Sequence, residues 1–286
     1  MNELKEKIKA IMLGPVKDIV MNTRKGNMTV IEEKSDGDSA TNADISIGQL
    51  FVKELKALLP GSIVINEEDF NEEVFEQIKT TRYVWVVDPI DGTKAFRTPG
   101  NNEYCIAVAL LDDLKPVLSV VYAPEYLFEG EIGLMFEATE DTEGVLLNGK
   151  EIKVKNEISV SECKCINHIH RDTETNAIEK AISSLAKTSE TIRAYDGHST
   201  LVNYALVAAE GLGRVFTRRG ANIWDIVQSA YLVEKLGGCV YYPDGREIFP
   251  IKIEDLKIEG SKLLMEFNIA SSPNAKNEII NRIRKL

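Results

Sequence analysis

The stretch Trp85–Phe96, WVVDPIDGTKAF, decides the fold and the chemistry expected of this chain. The apolar run Val84–Val87 has the length and composition of a β-strand that is buried on both faces. Asp88 follows at the carboxyl end of this strand, and the proline after it biases Asp88 towards an extended conformation. We therefore expect a sharp turn that directs the carboxylates of Asp88 and Asp91 and the carbonyl of Ile90 towards one point.

Oxygen donors gathered in this way suit a magnesium ion. Mg²⁺ prefers a few carboxylates, together with substrate phosphate and water, to a closed cage of protein ligands. Gly92 lets a ligand approach the backbone closely, and Thr93 is placed to begin a helix whose free N–H groups favour a phosphate. The structural alternative is a turn in which Asp88 and Asp91 only cap backbone groups.

Length, composition and charge restrict the remaining possibilities. The chain has 286 residues, of which 44% are hydrophobic, enough for one large domain or two closely packed halves. A formal net charge of −11 argues against a nucleic-acid duplex as partner, because duplex binding depends on Lys and Arg side chains that neutralise phosphates. Small anions remain possible partners, since bound divalent cations would reverse the local field of an acidic cleft.

Targeting signals and transition-metal sites are not evident in the sequence. No apolar run has the length of a membrane span, and the amphipathic N-terminus lacks the apolar core of a signal peptide, so we expect a cytoplasmic protein without a membrane partner. The four cysteines lack a C-x-x-C spacing, which favours reduced thiols. With only three histidines, a His-rich metal centre is improbable, and an oxygen-ligated metal is favoured.

Two further acidic positions occur in the N-terminal half. Asp44 precedes apolar residues that are spaced for one buried helix face, so the pattern places Asp44 at the helix N-cap. Glu67 and Glu68 follow the short apolar strand Ser62–Ile65, and acids clustered in this way usually form a solvated turn. Downstream, Tyr104–Leu111 and later apolar runs, with the hairpin signal Asn148-Gly149, predict an antiparallel sheet that serves as scaffold.

From about residue 160 the pattern changes to alternating short strands and helices, which predicts an α/β layer. We predict strands at Cys163–His168 and Ile192–Tyr195 and helices at Ser199–Glu210 and Trp224–Leu236. Asp225, in the segment NIWD, would then lie in the first turn of the last helix. There a carboxylate interacts favourably with the helix dipole.

The segment DPIDGT resembles the D-P-[IL]-D-G-T signature of the inositol monophosphatase superfamily of metal-dependent, lithium-sensitive phosphatases. The segments ATNAD, NEED and NIWD match further family elements in the same order along the chain. DGTKAF, KPVLSVVYAP and NIWD are more similar to the bisphosphate nucleotidase branch than to the inositol branch. The resemblance implies a layered αβαβα sandwich of mixed α+β and α/β character, with halves at residues 1–158 and 159–286 packed as one compact unit.

The resemblance also implies roles for individual residues. Two or three Mg²⁺ ions would be held by Glu67, Asp88, the Ile90 carbonyl, Asp91 and Asp225, with Glu68 replacing Glu67 if the register slips by one residue. Asp44 and Thr93 would orient the attacking water. Lys34 falls near the family's loop lysine. Substrate contacts would come from Gly92, Thr93, Lys94, Ser199, Arg218, Arg219 and Asp225.

The function implied is hydrolysis of a small phosphorylated metabolite, and the expected substrate is 3′-phosphoadenosine 5′-phosphate, cleaved to AMP and phosphate by a metal-activated water. The alternatives are an inositol-1-phosphatase, a fructose-1,6-bisphosphatase-like sugar phosphatase, or a divalent-cation-binding module without catalysis. Asn203 favours the inositol branch, because nucleotidases commonly carry a lysine there for the second phosphate; Arg218 or Arg219 is the candidate replacement. The presence of both Asp44 and Thr93 favours an enzyme, in monomeric or homodimeric form.

Overall fold

A computed structural model describes residues 1–33, 39–154, 158–169, 174–193 and 197–286. Lys34, and Tyr195 of the predicted strand Ile192–Tyr195, lie outside these ranges. The helices are α1 Asn2–Ile11, α2 Lys17–Asn22, α3 Asn42–Leu58, α4 Glu72–Ile78, α5 Thr93–Arg97, α6 Ala177–Leu185, α7 Thr200–Ala209, α8 Val227–Lys235 and α9 Pro273–Ile283.

The larger sheet lies in the N-terminal half and has the strand order β3-β4-β5-β6-β7-β8-β9. Its strands β3 and β4 are parallel, and the following pairs are antiparallel. Asn148 and Gly149, both with positive φ, form the predicted hairpin turn between β8 and β9. The strands are β3 Ile63–Asn66, β4 Tyr83–Asp91, β5 Cys105–Asp112, β6 Lys115–Phe128, β7 Glu131–Thr139, β8 Leu146–Leu147 and β9 Lys150–Glu151.

Strand β4 is buried on both faces, as predicted from its unbroken apolar run. Alternate side chains point to opposite faces of a sheet. Val84 and Val86 accordingly belong to one apolar core, and Trp85 and Val87 to another. The expected sharp turn after Val87 is replaced by a local irregularity, because β4 continues to Asp91 and its register against β5 shifts between Asp88 and Asp91.

The second sheet lies in the C-terminal half, with the order β11-β10-β12-β17-β14. Strand β10 is parallel to β11 and β12, while β17 is antiparallel to β12 and β14. The hairpin β1-β2 and the sheet β13-β16-β15 are smaller. These strands are β1 Val30–Glu33, β2 Ser39–Thr41, β10 Lys164–Ile169, β11 Thr188–Arg193, β12 Arg214–Arg218, β13 Ala221–Asn222, β14 Cys239–Tyr241, β15 Leu256–Glu259, β16 Lys262–Met265 and β17 Asn268–Ser271.

Three apolar clusters define the layers. The first joins α1, α2 and α3 to one face of the larger sheet. The second places α7 and α8 between the two sheets, and the third packs α6 and α9 on the outer face of the second sheet. The order is therefore helix, sheet, helix, sheet, helix, which confirms the predicted αβαβα sandwich. The central cluster contains residues from both sides of position 158, and the division into halves there stays a prediction.

Two helix starts differ from the sequence prediction. The N-cap of α3 is Thr41, and Asp44 occupies the third helical position, where it completes a capping box with Thr41. Helix α8 begins at Val227 rather than at Trp224, because Ile223–Asp225 forms a separate 3₁₀ turn. No helix in the described ranges is both long enough and apolar enough to cross a membrane.

Candidate metal centre and active site

Three aspartates from both halves of the chain meet between the sheets. One carboxylate oxygen from each of Asp88, Asp91 and Asp225 lies within 4.8 Å of the other two. Strand β4 supplies Asp88 and Asp91 at its irregular end, and the 3₁₀ turn before α8 supplies Asp225. The fold thus brings together residues that are more than 130 positions apart in the chain.

Asp88 has the environment expected of a metal ligand. Its side chain is fully buried, and neither carboxylate oxygen has a hydrogen-bond partner among the residues that the structure describes. Burial raises the pKa of Asp88 well above its usual range, and the charges of Glu67 and Asp91 raise it further. A buried carboxylate without a partner is costly unless it is protonated or binds a cation.

Asp91 is held in place by the start of α7. Its Oδ2 atom accepts a very short hydrogen bond from the Ser199 hydroxyl and a 2.6 Å hydrogen bond from the Leu201 N–H group. Burial raises the pKa of Asp91 to about 6, although these hydrogen bonds act in the opposite direction. Helix α7, from the C-terminal half, therefore orients a carboxylate from the N-terminal half.

Asp44 and Thr93 lie side by side, as the sequence analysis expected. Asp44 Oδ2 accepts hydrogen bonds from the Thr41 N–H group at 2.8 Å and from the Thr41 hydroxyl at 2.5 Å. The Thr93 hydroxyl lies 3.3 Å from Asp44 Oδ1 and 3.0 Å from the Ile90 carbonyl oxygen. Burial raises the pKa of Asp44 to about 7, against the lowering effect of the Thr41 hydrogen bonds.

Glu67 and Glu68 belong to a short 3₁₀ turn, Glu67–Asp69, that directly follows β3. Among the neighbouring charges, that of Glu67 contributes most to the raised pKa of Asp88, whereas that of Glu68 contributes to the raised pKa of Asp44. Both glutamates are therefore close enough to the buried aspartates to raise the pKa of one of them. Asn66, 2% exposed, begins the turn and donates a 2.9 Å hydrogen bond to Asp69.

Gly92 links the aspartates to α5 in a conformation that favours glycine. Its φ is +86°, and it forms the N-cap of α5, of which Thr93 is the first residue. A Cβ atom at position 92 would lie 2.7 Å from the Glu103 carbonyl oxygen, so space as well as φ requires glycine. Lys94 follows in the first turn and is exposed.

Arg218 and Arg219 have different surroundings. Arg219 donates to both carboxylate oxygens of buried Glu179, at 2.9 and 2.7 Å, and to the Glu174 carbonyl. These bonds hold the Nε and Nη2 atoms of Arg219, and its predicted substrate contact stays a prediction. Arg218 is 5% exposed, and its charge lowers the pKa of Asp91. Of the two arginines, Arg218 is the one whose charge acts on the acidic cluster.

Ser199 also differs from its predicted role. It is fully buried as the N-cap of α7, and its hydroxyl both donates to Asp91 and accepts a 2.9 Å hydrogen bond from the Val202 N–H group. The hydroxyl therefore orients a carboxylate and caps a helix, where the sequence analysis expected a substrate contact.

The sequence analysis missed Thr41 and the Leu201 N–H group. The pattern Thr41-x-x-Asp44 is that of a capping box, so a local signal for Thr41 was present in the sequence. The bond from Leu201 to Asp91 joins positions 110 residues apart. It depends on how α7 packs beside β4, and no local pattern reports such packing.

Comparisons with known proteins bear on this geometry. A family model described as "Inositol monophosphatase family" matches residues 6–285. The chain belongs to the inositol monophosphatase family. It is therefore a phosphatase of that family, and its acidic cluster lies where the sequence resemblance placed the family's metal ligands.

Named relatives come from more than one branch of the family. The "3'(2'),5'-bisphosphate nucleotidase CysQ" of Escherichia coli strain K12 is 28% identical over 237 residues, which cover 81% of this chain and 87% of the relative. The "Inositol monophosphatase 2" of Solanum lycopersicum is 27% identical over 220 residues, which cover 76% of this chain and 79% of the relative.

Solved structures share the fold. A staphylococcal inositol monophosphatase-1, described as an inhibitory complex soaked in 100 mM LiCl, gives a TM-score of 0.74 at 19% identity and covers 99% of this chain and 95% of its own. An IMPase/NADP phosphatase complexed with Mg²⁺ and phosphate gives a TM-score of 0.72 at 19% identity. The match covers 98% of this chain and 95% of the phosphatase chain. These likenesses confirm the fold class.

Proposed function

We propose that this protein is a Mg²⁺-dependent phosphomonoesterase whose preferred substrate is 3′-phosphoadenosine 5′-phosphate. The observation that carries the proposal is the cluster of Asp88, Asp91 and Asp225, in which Asp88 is fully buried and neither of its oxygens has a hydrogen-bond partner among the described residues. A divalent cation satisfies these oxygens and offsets the repulsion among the three carboxylates.

The donor set fits magnesium. Carboxylates and a carbonyl are hard oxygen ligands, and Mg²⁺ commonly completes its coordination with water and a substrate phosphate. We assign two or three ions to Asp88, Asp91, Asp225, Glu67 and the Ile90 carbonyl. Bound ions supply an acidified water and neutralise charge on the leaving oxygen. Lithium inhibition is part of this proposal, supported by the LiCl complex of the staphylococcal structure.

Thr93 and Asp44 are assigned to the attacking water. As the Thr93 hydroxyl takes a proton from the attacking water, it would pass its own proton to Asp44 Oδ1, 3.3 Å away. Asp44, with a pKa of about 7, is suited to receive that proton at neutral pH. A module that only binds cations has no need of this hydroxyl–carboxylate pair, which supports catalysis over the non-catalytic alternative.

Gly92, Thr93 and Lys94 are assigned to the phosphate. The Thr93 N–H group, at the first position of α5, has no acceptor within that helix and could donate to an equatorial phosphate oxygen. The exposed Lys94 adds a positive charge beside them. The Ser199 hydroxyl orients Asp91 and takes no part in this assignment.

The substrate proposal is supported by the nucleotidase-like segments DGTKAF, KPVLSVVYAP and NIWD and by the 28% identity to the E. coli bisphosphate nucleotidase. Asn203 and the tomato inositol monophosphatase favour inositol-1-phosphate as the second candidate. The nucleotide has a second phosphate that requires a cation, and Arg218 is the proposed partner because its charge acts on the cluster.

A side-by-side assay of kcat/KM for 3′-phosphoadenosine 5′-phosphate and inositol-1-phosphate tests the proposal. We expect the nucleotide to be preferred and Arg218→Ala to reduce that preference about 10- to 100-fold through KM, the effect of one lost charge-assisted contact. Arg219→Lys, which keeps a cation opposite Glu179, is the matched control. Equal losses for both substrates would assign Arg218 to the metal site, and a preference for inositol-1-phosphate would overturn the substrate assignment.

A further inference from the structure

The start of α7 depends on a contact with the N-terminal half. Residues 197–199 lead into α7, where Ser199 and Leu201 bind Asp91. The His198 imidazole donates from Nδ1 to Glu103 Oε2 at 2.5 Å. The position of the residues that orient Asp91 is therefore linked to Glu103, in the segment just before β5.

A second contact runs parallel to the first. The Asn101 side chain donates to the Gly197 carbonyl at 2.9 Å, and its Oδ1 atom accepts a 3.0 Å hydrogen bond from the Glu103 N–H group. Gly197 has φ of +82°, and a Cβ atom there would lie 2.7 Å from Asn101 Nδ2. Asn101 is thus hydrogen-bonded to Gly197, and Glu103 is hydrogen-bonded to His198. These two consecutive residues come immediately before Ser199.

The same segment also contacts the turn that carries the aspartates. The Glu103 carbonyl oxygen is the atom that a Cβ at Gly92 would meet at 2.7 Å, and Ser199 is the next neighbour of that position, at 3.3 Å. Gly92, Glu103 and Ser199 therefore pack around one point beside Asp91. Displacement of the Glu103 backbone or side chain would be transmitted to both neighbours, because protein interiors are close-packed.

We propose that His198 and Glu103 are positioning residues for the metal centre. Their hydrogen bond fixes the Gly197–Leu201 segment, and through Ser199 and Leu201 it fixes the orientation of the Asp91 carboxylate towards a divalent cation. The inference rests on the proposed metal site. The alternative is an ordinary surface contact, since the side chains of His198 and Glu103 are 28% and 37% exposed; such pairs add little to global stability.

The positioning role and an ordinary surface contact predict different effects of Glu103→Gln and His198→Gln on Mg²⁺ affinity. Groups that orient metal ligands typically affect metal affinity 10- to 100-fold when removed. Because His198 and Glu103 act through Ser199 and Leu201, we expect each variant to weaken Mg²⁺ binding about ten-fold. The urea midpoint of the metal-free protein should not change, and kcat at saturating Mg²⁺ should stay within about two-fold of wild type. The double variant should bind Mg²⁺ no more weakly than the single variants, since each single variant already removes the same His198–Glu103 contact.

The experiment is a titration of the full chain with MgCl₂ by calorimetry, together with urea unfolding of the metal-free protein. Asp112→Asn is the matched control, since it removes the partly exposed Arg82–Asp112 ion pair at the far end of β5. A variant with wild-type Mg²⁺ affinity, or one with only a lowered urea midpoint, would overturn the positioning role. Absence of Mg²⁺ binding in wild type would instead overturn the proposed metal site itself.

Discussion

At the residue scale, the chemistry assigned to this site depends on one hydroxyl beside one carboxylate. Thr93 and Asp44 are brought together from positions 49 residues apart, and Thr41 holds the second oxygen of Asp44. Asp44 is not in the group of aspartates whose carboxylate oxygens lie within 4.8 Å of one another. Water activation and metal binding can therefore be separated by substitution.

We predict that Thr93→Ala lowers kcat about 10²- to 10⁴-fold, the usual contribution of a positioned acid–base group. Mg²⁺ affinity, measured by calorimetry, should stay close to that of wild type. Asp44→Asn should behave in the same way. Thr93→Ser, which keeps the hydroxyl, is the control and should retain most of the activity. A Thr93→Ala enzyme with wild-type kcat would remove this residue from the chemistry.

The raised pKa of Asp88 leads to a prediction about how the stability of the metal-free protein depends on pH. Burial raises the pKa of Asp88, so its carboxyl group binds a proton more tightly in the folded than in the unfolded chain. Its contribution to stability is then present at low pH and lost as pH rises through the raised pKa. The metal-free protein should therefore gain stability from Asp88→Asn at pH 8, because the substitution removes a buried charge while it keeps the size of the side chain.

This gain should shrink as pH falls towards 5, because protonation removes the charge of the buried Asp88 carboxyl group. Urea unfolding of the metal-free wild type and variant at both pH values measures the difference, and Glu76→Gln, at an exposed carboxylate of α4, is the control. If Asp88→Asn instead destabilised the metal-free protein at pH 8, the carboxylate would have a structural role that the site geometry does not show.

At the element scale, local patterns predicted strand β4 well, but they placed the start of β11 at Ile192 instead of Thr188 and were also less accurate for the helix starts. The unbroken apolar run of β4 reports burial on two faces, and both faces do pack against separate cores. Asp225, by contrast, lies in a 3₁₀ turn before α8. The sequence could not show this, because an acid in the first turn of a helix and an acid in a turn just before the helix give the same pattern. The bond from Leu201 to Asp91 has no local signal, since it arises from the packing of α7 against the larger sheet.

The close approach of α3 to β3 gives an element-scale prediction. A Cβ atom at Gly48 of α3 would lie 2.8 Å from the Asn66 side chain, which is buried and bonded to Asp69 just beside Glu67. Gly48→Ala favours the helix intrinsically by up to about 1 kcal/mol, yet it must displace Asn66. We therefore expect Mg²⁺ affinity to fall several-fold, as measured by calorimetry.

Gly14→Ala is a poor control here because Gly14 has non-helical dihedral angles. Ala57→Gly, on the opposite end of α3, is suitable, since it tests helix propensity alone and should leave Mg²⁺ affinity unchanged. Unchanged Mg²⁺ affinity in Gly48→Ala together with higher stability would show that Asn66 moves freely and does not support Glu67.

At the scale of the whole molecule, the site exists only because segments that are distant in the sequence pack together. The N-terminal half supplies Asp44, Asp88 and Asp91, and the C-terminal half supplies Asp225 and the α7 groups that orient Asp91. The motifs in the sequence identified the carboxylates and the layered sandwich. They could not show which arginine acts on the cluster, because Arg218 is the last residue of β12 and Arg219 follows it, and only the tertiary structure decides where each side chain points.

The most direct test of the catalytic metal centre is phosphate release from 3′-phosphoadenosine 5′-phosphate by the purified full chain, with Mg²⁺ and with excess chelator. We predict turnover with Mg²⁺, none with chelator, and recovery when Mg²⁺ is restored. Asp88→Asn should be inactive under all three conditions while remaining folded. Hydrolysis that persists in the presence of chelator, or in Asp88→Asn, would contradict the assignment of this acidic cluster as the catalytic metal centre.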